Sequence, residues 1–302
     1  MTNSVTHLPS TRQIGYFVAL AEHEHFGRAA AACHVSQSAF SVGIRELETL
    51  LGTRLVDRTN RRVTVTPAGR EVAVLARLCI QDLTALVEAA RATSRPLEGP
   101  LHFGVIPTIA PFLLPRALPA IRQACPALKL YLYEDLTRKL HADLMDGRID
   151  LALLALPFDL PGARTTTLFR DPFRLAVRDG TALIDPEHYR FNRLPNESVL
   201  LLKEGHCLRR HAVEACRIRD TEKMNRFSAT SLMTLIEMVD ADMGVTFLPA
   251  MAEGSALLAN TKVRTYPLER DNYREIALAW RRGTSRADEF ETLGRLLTEN
   301  RV

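Results

Sequence analysis

Apolar residues recur three and four apart through the first third of the chain. They then give way to short apolar runs separated by amphipathic stretches. Over Thr11–His23 the positions Ile14, Phe17, Val18 and Ala21 fall on one helical face, and a short Ala-rich helix follows over Arg28–Cys33. His34-Val35 reads as a turn. Ser36 is then a good N-cap for a third helix running to about Leu51, with Ala39, Ile44, Leu47 and Leu51 inward and Gly52 as its stop. From Arg54 to Val65 two β-rich runs flank a polar turn, which predicts a hairpin. Thr66-Pro67 joins an N-cap to proline at the first helical position, and nothing breaks the helix from there to Arg95. Its apolar positions Val72, Ala76, Cys79, Leu83, Leu86 and Ala90 alternate four and three apart, the seam of a short coiled coil. The same spacing also suits one amphipathic helix packed on its own chain.

Ser94 to Pro100 is a linker by composition. Beyond it, strand-like runs at 101–106, 129–133, 151–155, 173–177, 198–203, 224–227, 245–248 and 276–280 alternate with helical runs at 112–125, 138–146, 208–216, 232–241 and 287–298. That alternation predicts an α/β domain with mainly parallel pairing behind an all-α winged domain. Ligands in such sheets bind at the C-terminal strand ends beside helix N-termini, which picks out Pro107-Thr108, Glu134 to Thr137, and His206-Cys207.

A chain of 302 residues, 46% hydrophobic and 25% charged, suits a soluble protein of two or three domains. Its longest apolar run, Leu151 to Phe158, is too short to span a membrane, and the N-terminus lacks an apolar signal core. With five cysteines in no regular framework, a cytoplasmic location is expected and no membrane partner. The net charge of +4 is unevenly spread: residues 1–95 hold eleven Arg, no Lys and eight acids, a net +3.

That charge changes the reading of the first helices. Helix, tight turn and a second helix with a polar start form a helix-turn-helix, whose second helix offers its N-terminal residues to base edges. Here those are Ser36, Gln37, Ser38 and Ser41, with Phe40 and Arg45 following. Glutamine can pair with adenine, arginine with guanine, and an apolar side chain can touch a thymine methyl. Arg58, Arg61 and Arg62 of the hairpin suit phosphate contacts. Double-stranded DNA is the expected partner.

The second candidate chemistry lies in Gly205-His206-Cys207-Leu208-Arg209-Arg210-His211 and in Cys216, nine residues after Cys207. Positive charge and a helix N-terminus favour the thiolate, and Cys207 would sit in a first helical turn beside Arg209 and Arg210. Nine residues along a helix separate two Cα atoms by ~13.5 Å, against the ~4.4–6.8 Å that a disulfide needs. The pair is therefore either two ordinary packed thiols or a redox switch whose closure remodels the backbone. His206, Cys207 and His211 lack a fourth ligand, so no metal or other cofactor is expected. Thr108 and Thr137 could each be plain helix caps.

Phe26-Gly27-Arg28-Ala29-Ala30, His34-Val35-Ser36-Gln37-Ser38, Ile44-Arg45-Glu46-Leu47-Glu48, Leu51-Gly52 and Val65-Thr66-Pro67-Ala68-Gly69 resemble the N-terminal domain of LysR-type transcriptional regulators. Ser38 stands where that family commonly has proline. Gly99-Pro100-Leu101, Ile106-Pro107-Thr108, Leu113-Leu114-Pro115, Asp146-Gly147, Gly205 to Arg209, Ala215-Cys216, Ala229 to Leu232 and Leu248-Pro249-Ala250 are similar to the effector domain of the family's peroxide-sensing OxyR branch. Met233, Asp240-Ala241-Asp242 and Asn272-Tyr273-Arg274 depart from that pattern.

The resemblance implies a winged helix-turn-helix domain over 1–66, a dimerisation helix over 67–95 and an effector domain over 96–302. The effector domain would be two-lobed and similar to periplasmic binding proteins, with lobe I at about 97–171 and 268–302 and lobe II at about 172–267. The peroxidatic role carries onto Cys207 and the resolving role onto Cys216. Thr108, Thr137, His206 and Arg209 carry over as the peroxide pocket. It also implies a dimer of dimers on a partly palindromic operator, contact with RNA polymerase, hydrogen peroxide as signal and thiol reductants for reset. The implied protein is a regulator, not an enzyme. The alternatives are a regulator of this family answering to a small-molecule inducer in the interlobe cleft, or a thiol peroxidase or solute-binding module.

Overall fold

The computed structural model describes residues 8–58, 63–90, 97–190, 194–215, 221–268 and 272–300. The chain divides into two compact units, residues 1–94 with 146–148, and residues 95–145 with 149–302.

The first unit opens with α1 (Thr11–His23), held by a capping box in which Ser10 Oγ accepts from Gln13 N and Gln13 Oε1 accepts from Ser10 N. After α2 (Phe26–Ala32), Ser36 caps α3 (Gln37–Leu51) by accepting from Ala39 N, and Gly52 ends it with φ at +65°. β1 (Val56–Arg58) and β2 (Val63–Val65) pair antiparallel as the wing. Glu48 of α3 fixes the entry to that wing, its Oε1 accepting from Leu55 N and Val56 N. Thr66 Oγ1 accepts from Gly69 N at the start of α4 (Pro67–Ala90). Glycine is required at 69, because a Cβ there would lie 2.1 Å from the Leu55 carbonyl oxygen.

Phe17, Leu20, Phe40, Ile44, Leu47 and Leu55 form the core of this unit. This corrects the expectation for α3. Phe40 is fully buried, its ring 4.9 Å from that of Tyr16, so it packs the domain and offers nothing to a groove. Ala39, expected inside, is exposed, and Leu51 is 39% exposed. The inward stripe is Phe40, Gly43, Ile44 and Leu47, one position on from the expected start. In α4, Ala73 and Ala76 join the core, whereas Leu86 is 64% exposed. The apolar seam is thus covered near its start and uncovered towards its end.

In the second unit the strands form a seven-stranded sheet of order β10-β6-β11-β5-β3-β4, with β9 also on β6. Its members are β3 (Gly99–Val105), β4 (Leu128–Glu134), β5 (Leu151–Leu156), β6 (Ala163–Arg178), β9 (Thr246–Pro249), β10 (Val263–Pro267) and β11 (Tyr273–Arg281). β7 (Val199–Leu202) and β8 (Met224–Ala229) pair parallel, and Val199 bridges to Val245 just before β9. The helices are α5 (Ala110–Ala124), α6 (Thr137–Met145), α7 (Cys207–Ala215), α8 (Leu232–Asp240), α9 (Ala256–Ala259) and α10 (Ala287–Glu299).

Pairing is mixed where mainly parallel pairing was expected. β3 runs parallel to β4 and β5, but β11 is antiparallel to β5 and β6, and β6 is antiparallel to β9 and β10. The reason is β6. Its first half pairs with β11 and its second half with β9 and β10, so one 16-residue strand serves both halves of the unit. The sequence pattern showed only its second half, because Arg164-Thr165-Thr166-Thr167 is a polar run without apolar alternation, and it did not show β10 at all.

Candidate functional site

The sequence places a tight turn and a helix directly after β7. Gly205 makes the turn with φ at +103°, a conformation that glycine adopts without strain. A Cβ at this position would lie 3.2 Å from Leu136 Cδ1, so the start of α7 abuts the start of α6. Cys207 is the first residue of α7, free and 6% exposed. His206 precedes it. Burial lowers the His206 pKa from its ordinary value, and a hydrogen bond with the Thr230 backbone opposes the shift. Its Nδ1 is buried with no hydrogen-bond partner.

Thr137 opens α6 across that turn. It is 1% exposed, and its Oγ1 also lacks a partner, so it is not serving as a cap. A buried polar atom without a partner is costly, and each such atom invites a small polar ligand or water. Thr108 is not a cap either. Ile109 precedes α5 and supplies no side-chain bond, while Thr108 is held by Arg274. Arg209 turns back towards the sheet, its Nη1 donating to Leu202 O at 3.2 Å, so it fastens α7 to the end of β7. Cys216 lies outside the described residues, as do Arg61 and Arg62.

Three residues beyond the expected set complete the surroundings. Arg274 of β11 and Asp171 of β6 form an ion pair with side chains 0% and 2% exposed. Arg274 Nε donates to Asp171 Oδ2 at 2.9 Å, Nη1 donates to Thr108 Oγ1 at 2.9 Å, and Nη2 donates to Thr108 O at 2.8 Å. Met251 N donates to Asp171 Oδ1 at 3.1 Å. The third residue is His211 of α7, whose Nε2 donates to Pro157 O at 3.0 Å. Burial above all pushes its pKa down to about 4, with the Arg274 and Arg210 charges acting in the same direction against the Pro157 bond. Arg274 thereby touches Thr108 directly and α7 through its field. An arginine just ahead of the apolar run of the last strand was the available signal for this network. No local pattern marked Asp171 as its partner 103 residues away.

In the first unit, Ser36, Gln37, Ser38 and Arg45 are exposed along the start and outer face of α3, and Ser41 is partly so. Arg58 closes β1, and its backbone pairs with Val63.

Two family models match the chain, the bacterial regulatory helix-turn-helix protein of the lysR family over residues 11–70 and the LysR substrate binding domain over 94–301. The HTH-type transcriptional regulator EstR of Acinetobacter baylyi is 38% identical over 287 residues, 95% of each chain. A hydrogen peroxide-inducible genes activator of Dickeya chrysanthemi is 37% identical over 289 residues, 96% of this chain and 95% of that one. The structure of a full-length OxyR variant from Pseudomonas aeruginosa is 31% identical, covers 98% of both chains and superposes with a TM-score of 0.83. Among the described residues no helix is long and apolar enough to cross a membrane. A helix-turn-helix with a wing, joined to a mixed-sheet domain matched along its whole length, makes this chain a member of the LysR family of bacterial transcriptional regulators.

Proposed function

We propose that this regulator is of the peroxide-responsive kind and reads its signal through Cys207 and Cys216. The observation that carries the reading is a buried thiol at the first position of α7, beside a turn whose neighbours Thr137 Oγ1 and His206 Nδ1 have no partner. The Cys207 thiolate attacks one peroxide oxygen, the O–O bond breaks, and the other oxygen leaves as hydroxide and is protonated by solvent. Cys207 becomes a sulfenic acid. The Cys216 thiolate then attacks the Cys207 sulfur, water departs after protonation, and a disulfide remains. Helical rise over Cys207–Ala215 puts the ends of α7 ~12 Å apart, and one further Cα step of ~3.8 Å cannot bring the next position within the ~4.4–6.8 Å that a disulfide needs, so α7 must unwind for that step. Thr108, Thr137 and His206 bind the oxidant, and Arg209 holds the helix start. The peroxide-related names of similar proteins support this reading.

Unwinding re-aims contacts between effector domains, and the DNA-reading helices change spacing on a partly palindromic operator. Ser36, Gln37, Ser38, Ser41 and Arg45 are assigned to the bases, and the hairpin arginines Arg58, Arg61 and Arg62 are assigned by sequence to the phosphates. The domain division is 1–66, 67–95 and 96–302, with the uncovered end of α4 used in a dimer and dimers paired into a tetramer. RNA polymerase is the downstream partner, and thiol reductants reset the switch.

The test is non-reducing peptide mapping after brief, near-stoichiometric peroxide, with free thiols blocked. A reducible Cys207–Cys216 peptide is the expected product. Cys33 and Cys125 are the internal controls, since burial raises the pKa of both thiols, aided at Cys33 by Glu22. If Cys207 reacts no faster than these, or if Cys207→Ser leaves the transcriptional response intact, the effector is a small molecule in the cleft instead.

A further inference from the structure

Among the described residues of the effector domain the Arg274–Asp171 ion pair is the largest buried charged group, and the thiol chemistry makes no direct use of Asp171. We infer that Asp171 is a positioning residue for the oxidant. It acts through Arg274 to fix Thr108 as a hydrogen-bond donor. The inference rests on the peroxide reading of the Cys207 site.

A guanidinium offers five N–H donors in a rigid planar fork. Asp171 Oδ2 takes Nε, and the carboxylate is itself held by Met251 N on Oδ1, so the plane of the fork is fixed from one side. Both Nη groups then reach Thr108, Nη1 on the hydroxyl and Nη2 on the carbonyl, with Nη2 also donating to Met251 Sδ at 3.5 Å. The consequence lies in the hydroxyl. A threonine Oγ1 has one proton to donate and two lone pairs to accept with. Arg274 occupies a lone pair, and its cation also polarises the O–H bond. The proton remains to be donated elsewhere, and the oxygen is a poorer acceptor than before.

That is the polarity the reaction needs. When the Cys207 thiolate attacks one peroxide oxygen, the O–O electron pair leaves on the other as hydroxide. A fixed donor at that oxygen stabilises the charge as it develops. Asp171 is also what allows a charged arginine to remain buried there, since an unpaired buried charge is strongly disfavoured. Removing the carboxylate therefore releases the fork and loosens Thr108, while Cys207 itself is untouched. A merely structural ion pair tying β6 to β11 would not single out peroxide.

The experiment compares two reactions of the same thiol in the full-length chain. Wild type and Asp171→Asn are treated with hydrogen peroxide and, separately, with iodoacetamide, and loss of free Cys207 is followed by quenched mass spectrometry. Oxidation is expected to slow about 10- to 100-fold, the scale of a misplaced reacting group, with alkylation unchanged. Asp171→Glu keeps the charge but displaces it, and should slow oxidation less than Asp171→Asn does. Should Asp171→Asn fail to fold, Asp171→Glu decides alone, by whether oxidation slows selectively. Equal loss of both rates, or no loss of oxidation, overturns the inference. If wild-type Cys207 is itself no faster with peroxide than Cys33 or Cys125, the peroxide reading fails and the inference falls with it.

Discussion

Two consecutive side chains of α7 grip one carbonyl oxygen. Arg210 Nη2 donates to Pro157 O at 2.6 Å and His211 Nε2 donates to the same atom at 3.0 Å, while the Arg210 guanidinium lies 4.9 Å from the Phe158 ring centroid. Under the proposed Cys207–Cys216 switch, unwinding α7 would break these contacts, so they would oppose disulfide closure. Arg210→Ala removes a hydrogen bond from a charged donor, worth ~1.5–3 kcal/mol, and a cation–π contact, worth ~0.5–1 kcal/mol at an exposed site. The Arg210 bond is solvent-exposed, and screening reduces both, so the helical state should lose about 1.5 kcal/mol in all. Because ~1.4 kcal/mol is a factor of ten, the thiol–disulfide equilibrium should shift about tenfold towards the disulfide. For this two-electron couple that is a reduction potential lower by about 30 mV. Equilibration of wild type and Arg210→Ala in glutathione buffers, with the linked peptide quantified, measures it. An unchanged or higher potential in the variant would refute the claim that α7 must leave its dock for the disulfide to form.

The His211 site predicts a pH response. A pKa of about 4 in the folded chain against an ordinary value near 6.5 means that the unfolded state binds the proton more tightly. The contribution is complete above pH 6.5 and is lost as pH falls towards 4. Between pH 7 and 4.5 it should cost about 2 kcal/mol, read as faster hydrogen exchange across α7, and His211→Gln should flatten that dependence. Phe40→Ala should cost about 3–5 kcal/mol of stability in the first unit, measured by urea unfolding, whereas Gln37→Ala should leave stability within about 0.5 kcal/mol. Gln37→Ala should instead weaken discrimination between operator and mismatched duplex by about 1–3 kcal/mol in fluorescence anisotropy. An equal stability loss for both would show that the α3 faces are misassigned. Gly69→Ala puts a methyl against the Leu55 carbonyl and should destabilise the wing by at least about 1–3 kcal/mol. Salt-dependent DNA binding should fall with it, and unaltered binding would count against a fixed wing.

The sequence by itself determined the elements whose signals are local. Thr11–His23 runs as its apolar face requires, and α3 lies between the Ser36 cap and Gly52. The helix after Gly205 follows from one residue able to adopt φ of +103°. Cys207 at the start of that helix was legible for the same reason, since turn chemistry and N-terminal position depend only on neighbours in the chain.

Tertiary structure decided what depends on partners far apart in sequence. Which residues of α3 face inward was settled by Tyr16 and Phe26, which claim Phe40 for the core and leave Ala39 outside. Strand direction was settled by β6, long enough to pair with β11 at one end and with β9 and β10 at the other. Thr108 looked like a helix cap, and became an arginine-bound hydroxyl only when Arg274 arrived from 166 residues away. A threonine before a helix has the same local sequence in either role. The difference is a buried cation and the carboxylate that keeps it there, and no periodicity along the chain records that pairing.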